Sequence, residues 1–162
     1  MEKDENLILQ KFSIVISTFL GLGFFPFASG TFTSLVIVIL YAVIPGIEKP
    51  LLLFIVTFFV IIVGLLTSGV TEKKYGFDPP QVVIDEVAGM LISLMFVPKT
   101  FVLMAIAFLL FRFFDIVKPF PAKMVQEIKG SPGIMLDDII AGIYTLILMH
   151  FILLIYPEVI YL

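Results

Sequence analysis

The 162-residue sequence predicts an all-α, membrane-associated multi-helix bundle with some short helices and a Gly/Pro-rich, re-entrant-type loop. The composition is 60% hydrophobic and the mean hydropathy is +1.17, so much of the surface is built to meet lipid rather than water. Only 14% of residues are charged, against about 25% in an ordinary soluble domain. Apolar runs of helical length alternate with short Gly/Pro-rich or charged breaks, a pattern that suits helices packed in hydrocarbon. A chain of this length forms a single domain, residues 1–162.

The opening "MEKDENLILQK" carries three acids and two lysines and lacks the positive start of a secretory signal. It reads as a solvated, amphipathic segment kept on the mature protein. Phe12 to Ile47 is uncharged but too long for one helix. Gly21, Gly23, Pro26 and Gly30 break it into an irregular loop. A helix is expected over Thr33–Ile44, then a turn from Ile44 to Pro50. Leu51–Val70 is the best single span, since about 20 apolar residues cross a bilayer core. Glu86–Val97 and Thr100–Phe113, split by Pro98-Lys99, are expected as short helices of ~18–21 Å at 1.5 Å per residue. They suit a shallow hairpin or a buried pair inside the bundle. Asp138–Tyr156 is the last helix, of near-spanning length.

If each turn reverses the chain, the turns at Pro45–Pro50 and Pro98-Lys99 fall on one side. The loops Gly21–Ser34, Thr71–Asp85 and Phe114–Asp137 meet on the other. These three loops and their edges hold Lys73, Lys74, Arg112, Lys118, Lys123 and Lys129, whereas the opposite turns hold Lys49 and Lys99. The excess of positive charge orients the loop side toward the cytoplasm.

Six carboxylates cluster in these loops and at their edges: Asp78, Asp85, Glu86, Asp115, Asp137 and Asp138. Acids at the edge of a membrane segment are costly and point to function. Asp137-Asp138 and Asp85-Glu86 each open an expected helix, where capping of free N–H groups is the plain structural role. One acid suffices for a cap, whereas two adjacent acids repel and are relieved by a divalent cation. An oxygen-rich set of this kind suits Mg²⁺, which leaves room for water and a substrate phosphate. Arg112, Asp115 and Lys118 recur every three residues, one face of a helix. They form either an ion-pair ladder at the membrane edge or a phosphate-binding pair around an acid. "GLGFFPFASGTFTS" could offer backbone N–H groups to an anion, aided by Gly30, Thr31, Thr33 and Ser34, although it lacks a P-loop lysine. His150, the lone histidine, sits mid-helix and reads as structural. Without cysteine there is no disulfide, thiolate metal site or Cys nucleophile. A net charge of −3 argues against a nucleic-acid partner.

Three segments, "GLGFFPFASGTFTSL", "DPPQVVIDEVAGM" and "FRFFDIVKPFPAKMVQEIKGSPGIMLDDIIAGIYT", resemble in that order the signature blocks of the phosphatidylglycerophosphatase A family. The last, with Phe-Asp, Lys-Pro, Met-x-Asp-Asp and Ala-Gly, is the most specific. The resemblance implies a Mg²⁺-dependent phosphatase of the bacterial cytoplasmic membrane. Its expected reaction converts phosphatidylglycerophosphate to phosphatidylglycerol and phosphate on the cytoplasmic face. It carries over Asp78, Asp85, Glu86, Asp115, Asp137 and Asp138 as the family's acidic positions, with Lys118 in the same block; the expected mechanism gives Asp78, Asp85, Glu86, Asp137 and Asp138 to the metal and Asp115, Asp138 and Lys118 to catalysis. Arg112, Lys118, Gly30 and Thr31 then bind the substrate phosphate. The family usually has a small residue where Thr33 stands and frequently Pro where Ser29 stands. Water and an Asp nucleophile, with Asp115 as the candidate, both remain open. Two rivals are a CDP-alcohol phosphotransferase, whose D-x-x-D-G…D-x-x-x-D signature is absent, and a membrane cation-binding or transport protein using the same acids.

Overall fold

The computed structural model describes residues 2–158, so Met1 of the expected N-terminal segment and the last four residues lie outside the described part. All of the regular structure there is helical. The helices are α1 (Glu2–Ser17), α2 (Ser29–Val43), α3 (Pro50–Tyr75), α4 (Ile84–Ser93), α5 (Phe101–Val117), α6 (Ala122–Gln126) and α7 (Ser131–Ile155). A single 3₁₀ turn, Leu22–Phe24, lies in the loop between α1 and α2.

Among the described residues, two helices are long and apolar enough to cross a membrane. They are α3, with 26 residues, and α7, with 25. Only 28% of the apolar window of each is buried in the protein, so most of their apolar surface faces outward. Phe54, Phe58, Phe59, Leu66, Ile147, Phe151 and Leu154 are all more than half exposed. Such a surface in a chain of this hydropathy is a lipid-facing surface.

Several boundaries differ from the sequence reading. α2 begins at Ser29, four residues before the expected Thr33, so Gly30 and Thr31 lie in its first turn rather than in a loop. α4 starts at Ile84 and stops at Ser93, shorter than expected, and α5 runs on to Val117. α7 starts at Ser131, seven residues before the expected Asp138. Pro132 there occupies the first helical turn, where its missing N–H leaves no bond unmade, so it starts the helix rather than breaking it.

α4 is the centre of the bundle and packs against α2, α3, α5 and α7. Nine of its ten residues are buried, which makes it a core helix and not a span. Its closest neighbour is α7, and glycine sets that approach. A Cβ on Gly142 of α7 would meet the backbone carbonyl of Gly89 at 2.6 Å. Small residues of this kind let two helix backbones meet in lipid-like surroundings. The main core is filled by Leu53, Met90, Leu94, Leu103, Phe111 and Met149, among others, all at most 1% exposed.

Candidate functional site

The first turns of α2 and α4, the second turn of α7 and the last turn of α5 meet at one end of the bundle. A Cβ on Gly30 of α2 would overlap the Glu86 carboxylate of α4, so only glycine fits between them. Carboxylate oxygens of Asp85 and Glu86 from α4 and of Asp138 from α7 lie within 4.8 Å of one another. The start of α4 supplies two of the three because Val82 and Val83 before it and its first residue, Ile84, are buried and anchor its N-terminus. The N-termini of α2, α4 and α7 all belong to this end, and their positive dipole ends favour negative groups there.

None of the expected helix-capping roles holds. Asp137 and Asp138 are the seventh and eighth residues of α7, whose N-cap is Gly130. Asp85 and Glu86 follow Ile84, and the N-cap of α4 is Val83 with no side-chain cap. The acids are therefore not consumed by backbone groups at helix starts, apart from the Asp137 carboxylate accepting from the Asp138 N–H at 3.0 Å.

The remaining charges divide into two sets. Arg112 donates to Asp115 across 2.6 Å and lies 4.0 Å from Glu86. It also reaches the Ser34 hydroxyl of α2 at 3.5 Å. Lys118 pairs closely with Asp137 and lies 3.9 Å from Asp115. The spacing of Arg112, Asp115 and Lys118 thus does form an ion-pair ladder, but one turned into the site and extended to Asp137. Lys118 is the C-cap of α5 in the left-handed region, φ 46°. A non-glycine residue held there is strained by of order 1–3 kcal/mol and marks a position the surroundings dictate. Asp78, also left-handed at φ 43°, accepts from Gln126 of α6 at 2.5 Å and stands outside the close cluster. Gln126 is the one partner the sequence reading missed. Among the described residues, Thr31 makes no side-chain hydrogen bond to the acids. His150 bonds its own helix, with Nδ1 2.8 Å from the Leu146 carbonyl, consistent with a structural part.

Five carboxylates face two cations here, which leaves three negative charges unmatched. The orphan atoms identify them. Asp85 Oδ1, Glu86 Oε2 and Asp138 Oδ2 are buried and make no hydrogen bond. These are the same three residues whose oxygens cluster within 4.8 Å. Buried polar groups without partners are rare, and a cation is the partner that suits three anionic oxygens together. Burial raises the Asp85 carboxyl well above the usual range, reinforced by the charges of Glu86 and Asp138. Burial also pushes Glu86 up to about 7, opposed in part by its hydrogen bond with Asp85 and by Arg112. Desolvation pulls Lys118 down, but Asp137, Asp138 and Asp115 together outweigh it and hold its ammonium charged. Two orphan donors belong to the same end, Arg112 Nε and the Thr33 hydroxyl, both buried and unpartnered; a further orphan oxygen, Glu72 Oε1, belongs to the last turn of α3 and not to the cluster. A hard dication and an oxyanion therefore both fit the same end of the bundle.

The fold and the site define a lipid-embedded helical protein whose buried acid and base groups are arranged for a cation and an anion. The profile of the family described as phosphatidylglycerophosphatase A matches residues 15–153, and the chain belongs to that family of phosphoric monoester hydrolases. It is 36% identical over 147 residues to a "putative phosphatidylinositol-3-phosphatase" of Bacteroides thetaiotaomicron, covering 84% of this chain and 90% of the relative. It is 33% identical over 153 residues to the phosphatidylglycerophosphatase A of Haemophilus influenzae, covering 90% and 94%. With the Escherichia coli phosphatidylglycerophosphatase A the identity is 32% over 135 residues, covering 82% and 78%. No solved structure matches.

Proposed function

We propose that the chain is a Mg²⁺-dependent lipid phosphatase that hydrolyses phosphatidylglycerophosphate to phosphatidylglycerol and phosphate, as a step of phospholipid biosynthesis. The observation that carries the reading is the set of orphan atoms, three anionic oxygens beside two donors at one end of the bundle. A bilayer-crossing α3 and α7 would hold that end at the cytoplasmic face of the bacterial cytoplasmic membrane, in line with the excess of lysine and arginine in the loops there.

In this reading Asp85, Glu86 and Asp138 hold the metal, with Asp137 and Asp78 around them. The bound ion supplies charge neutralisation at the phosphate and lowers the pKa of a water. Arg112, through its free Nε, and Lys118 bind the phosphate oxygens and offset the charge of the transferring phosphoryl group. Gly30 and Thr31 at the start of α2 bring backbone to the same anion. Asp115 orients both cations at once, and Asp137 fixes Lys118. Asp138 accepts a proton from the attacking water. The new P–O bond forms as the ester P–O bond breaks, and the leaving lipid oxygen takes up the proton that Asp138 accepted. Both oxygens of Asp115 already face cations, which favours water over Asp115 as the nucleophile. Mass spectrometry of the trapped enzyme tests this, since a phospho-Asp115 peptide would reverse the assignment.

The likeness to the putative phosphatidylinositol-3-phosphatase favours a second substrate with the same chemistry, a phosphomonoester on an inositol lipid. Phosphate release from phosphatidylglycerophosphate and from phosphatidylinositol 3-phosphate in mixed micelles, with and without Mg²⁺, separates the two. No Mg²⁺-dependent release from either by folded protein would refute the phosphatase reading and move the cation-transport rival forward.

A further inference from the structure

We propose that the apolar groove between α5 and α7, lined by Phe114, Pro119, Phe120, Tyr144, Leu148 and Phe151, takes one acyl chain of the lipid whose phosphate lies at Arg112 and Lys118. The proposal rests on the reading of the site as a lipid phosphatase and extends it to the part of the substrate that stays in the bilayer.

The groove measures 410 Å³ and is continuous in sequence with the site on both of its walls. On the α5 side, Phe114 directly precedes Asp115 and Pro119 directly follows Lys118. On the α7 side, Tyr144 lies seven residues after Asp137. Seven residues are nearly two full turns, so both occupy one stripe of the helix. Leu148 and Phe151 prolong that stripe away from the site. From Asp137 to Phe151 the helix rises ~21 Å at 1.5 Å per residue, more than half of a ~30 Å hydrocarbon core. A headgroup at Asp137 and Lys118 therefore has an apolar path leading from it toward the bilayer centre.

The walls suit a chain rather than a headgroup. The single polar tip, the Tyr144 hydroxyl, donates to the Phe120 carbonyl at 2.7 Å, leaving its ring as the surface. That ring packs on Phe114, with centroids 5.5 Å apart. Phe120 is 77% exposed and Phe151 56% exposed, so the groove opens toward lipid at both ends. The apolar groove of 270 Å³ between α2 and α5 contains no residue next to the site's charges, and the one lined by Val87, next to Glu86, holds only 160 Å³. An acyl chain entering from the bilayer exchanges one apolar contact for another. The groove therefore contributes register, holding the phosphate in line, more than affinity.

The test uses dioleoyl phosphatidylglycerophosphate and its deacylated, water-soluble counterpart, which carries the same phosphate without chains. Leu148→Trp fills the groove, and Leu148→Ala widens it. We expect the ratio of kcat/KM for the dioleoyl substrate to that for the deacylated one to fall about ten-fold or more in Leu148→Trp, as misplacement of a bound substrate does. In Leu148→Ala the same ratio, taken for a branched-chain phosphatidylglycerophosphate in place of the dioleoyl one, should rise. A ratio unchanged in both variants would overturn the proposal. A phosphatidylglycerophosphate with a diazirine halfway along one chain gives a readout independent of turnover. Cross-links should concentrate on Phe114, Leu148 and Phe151, above those on the lipid-facing Phe58 and Phe59 of α3. Equal labelling of both faces would overturn the proposal even where turnover is normal. Wild-type protein that labels the groove but releases no phosphate would keep the groove and refute the phosphatase reading instead.

Discussion

Replacing Asp138 with Asn should make the metal-free protein more stable and the enzyme inactive. In the metal-free protein its carboxylate lies within 4.8 Å of those of Asp85 and Glu86. Two ionised acids at that distance repel by about 3 kcal/mol at an effective dielectric of about 20. Protonation of Asp85, raised well above the usual range, and of Glu86, pushed up to about 7, relieves part of this. We therefore expect a net gain of about 1–3 kcal/mol from removing one charge while keeping its shape. At about 2–4 °C per kcal/mol for a chain of this size, the metal-free melting temperature should rise by about 2–12 °C. Mg²⁺ should reverse the order. At a hundred-fold excess over its dissociation constant a ligand stabilises by about 2.7 kcal/mol, roughly 5–11 °C here. That shift should appear in wild type and vanish in Asp138→Asn. Thermal unfolding in detergent with EDTA or Mg²⁺, beside phosphate release, measures all three effects. A metal-free variant that melts lower, with its Mg²⁺ shift intact, would show that the cluster is held by protein contacts and does not bind the ion.

The pH dependence has a definite sign. Glu86 is raised by burial from 4.5 to about 7, so the folded metal-free protein holds protons that the unfolded chain releases. Its stability should be greatest below pH 4.5 on this account and fall as pH rises through about 7, whereas Mg²⁺ affinity should rise over the same window; an affinity independent of pH would exclude Glu86 as a ligand. Gly30→Ala should leave the unfolding free energy within about 1 kcal/mol of wild type, because alanine favours the helix. It should nonetheless cut turnover more than about ten-fold, since the new methyl displaces the Glu86 carboxylate, and normal turnover would refute that contact. Asp115→Asn releases both Arg112 and Lys118, and kcat should drop by about 10²–10³ with little change in Mg²⁺ affinity; equal loss of metal binding would assign Asp115 to the metal instead. Gly142→Ala pushes α7 from the Gly89 carbonyl at a cost of about 1–3 kcal/mol. It should also weaken Mg²⁺ binding although no ligand changes, and isothermal titration in detergent would detect this.

Much of the site was legible because its residues are out of character for the chain. Acids stand out in a sequence that is 60% hydrophobic, and hairpin logic alone brings Asp85, Glu86 and Asp138 to one end. What each acid does was not legible. Asp137 and Asp138 are neighbours in sequence, yet successive residues on a helix point about 100° apart. One therefore faces Lys118 and the other faces Asp85 and Glu86. That division depends on where α7 begins, and Pro132 reads as a breaker until its position in the first turn is known. The contact of Gln126 with Asp78 joins two segments 48 residues apart and has no local signal at all. The left-handed turn at Lys118 is half visible, since the following Pro119 disfavours helix at the residue before it.

The central position of α4 explains how so much unmatched charge is tolerated. A ten-residue helix cannot cross a bilayer, and as a free segment it would be marginal. Buried on all sides by α2, α3, α5 and α7, it instead carries its first-turn acids to a fixed depth. The dipole ends of three helices offset only about 0.3–1 kcal/mol each, too little for three orphan carboxylates. The deficit is met by packing elsewhere, above all the close α4–α7 seam at Gly89 and Gly142. A bundle held together away from its polar end can keep that end electrostatically unfinished. The ligands that finish it are then a cation for the oxygens and a phosphate for the free donors of Arg112 and Thr33.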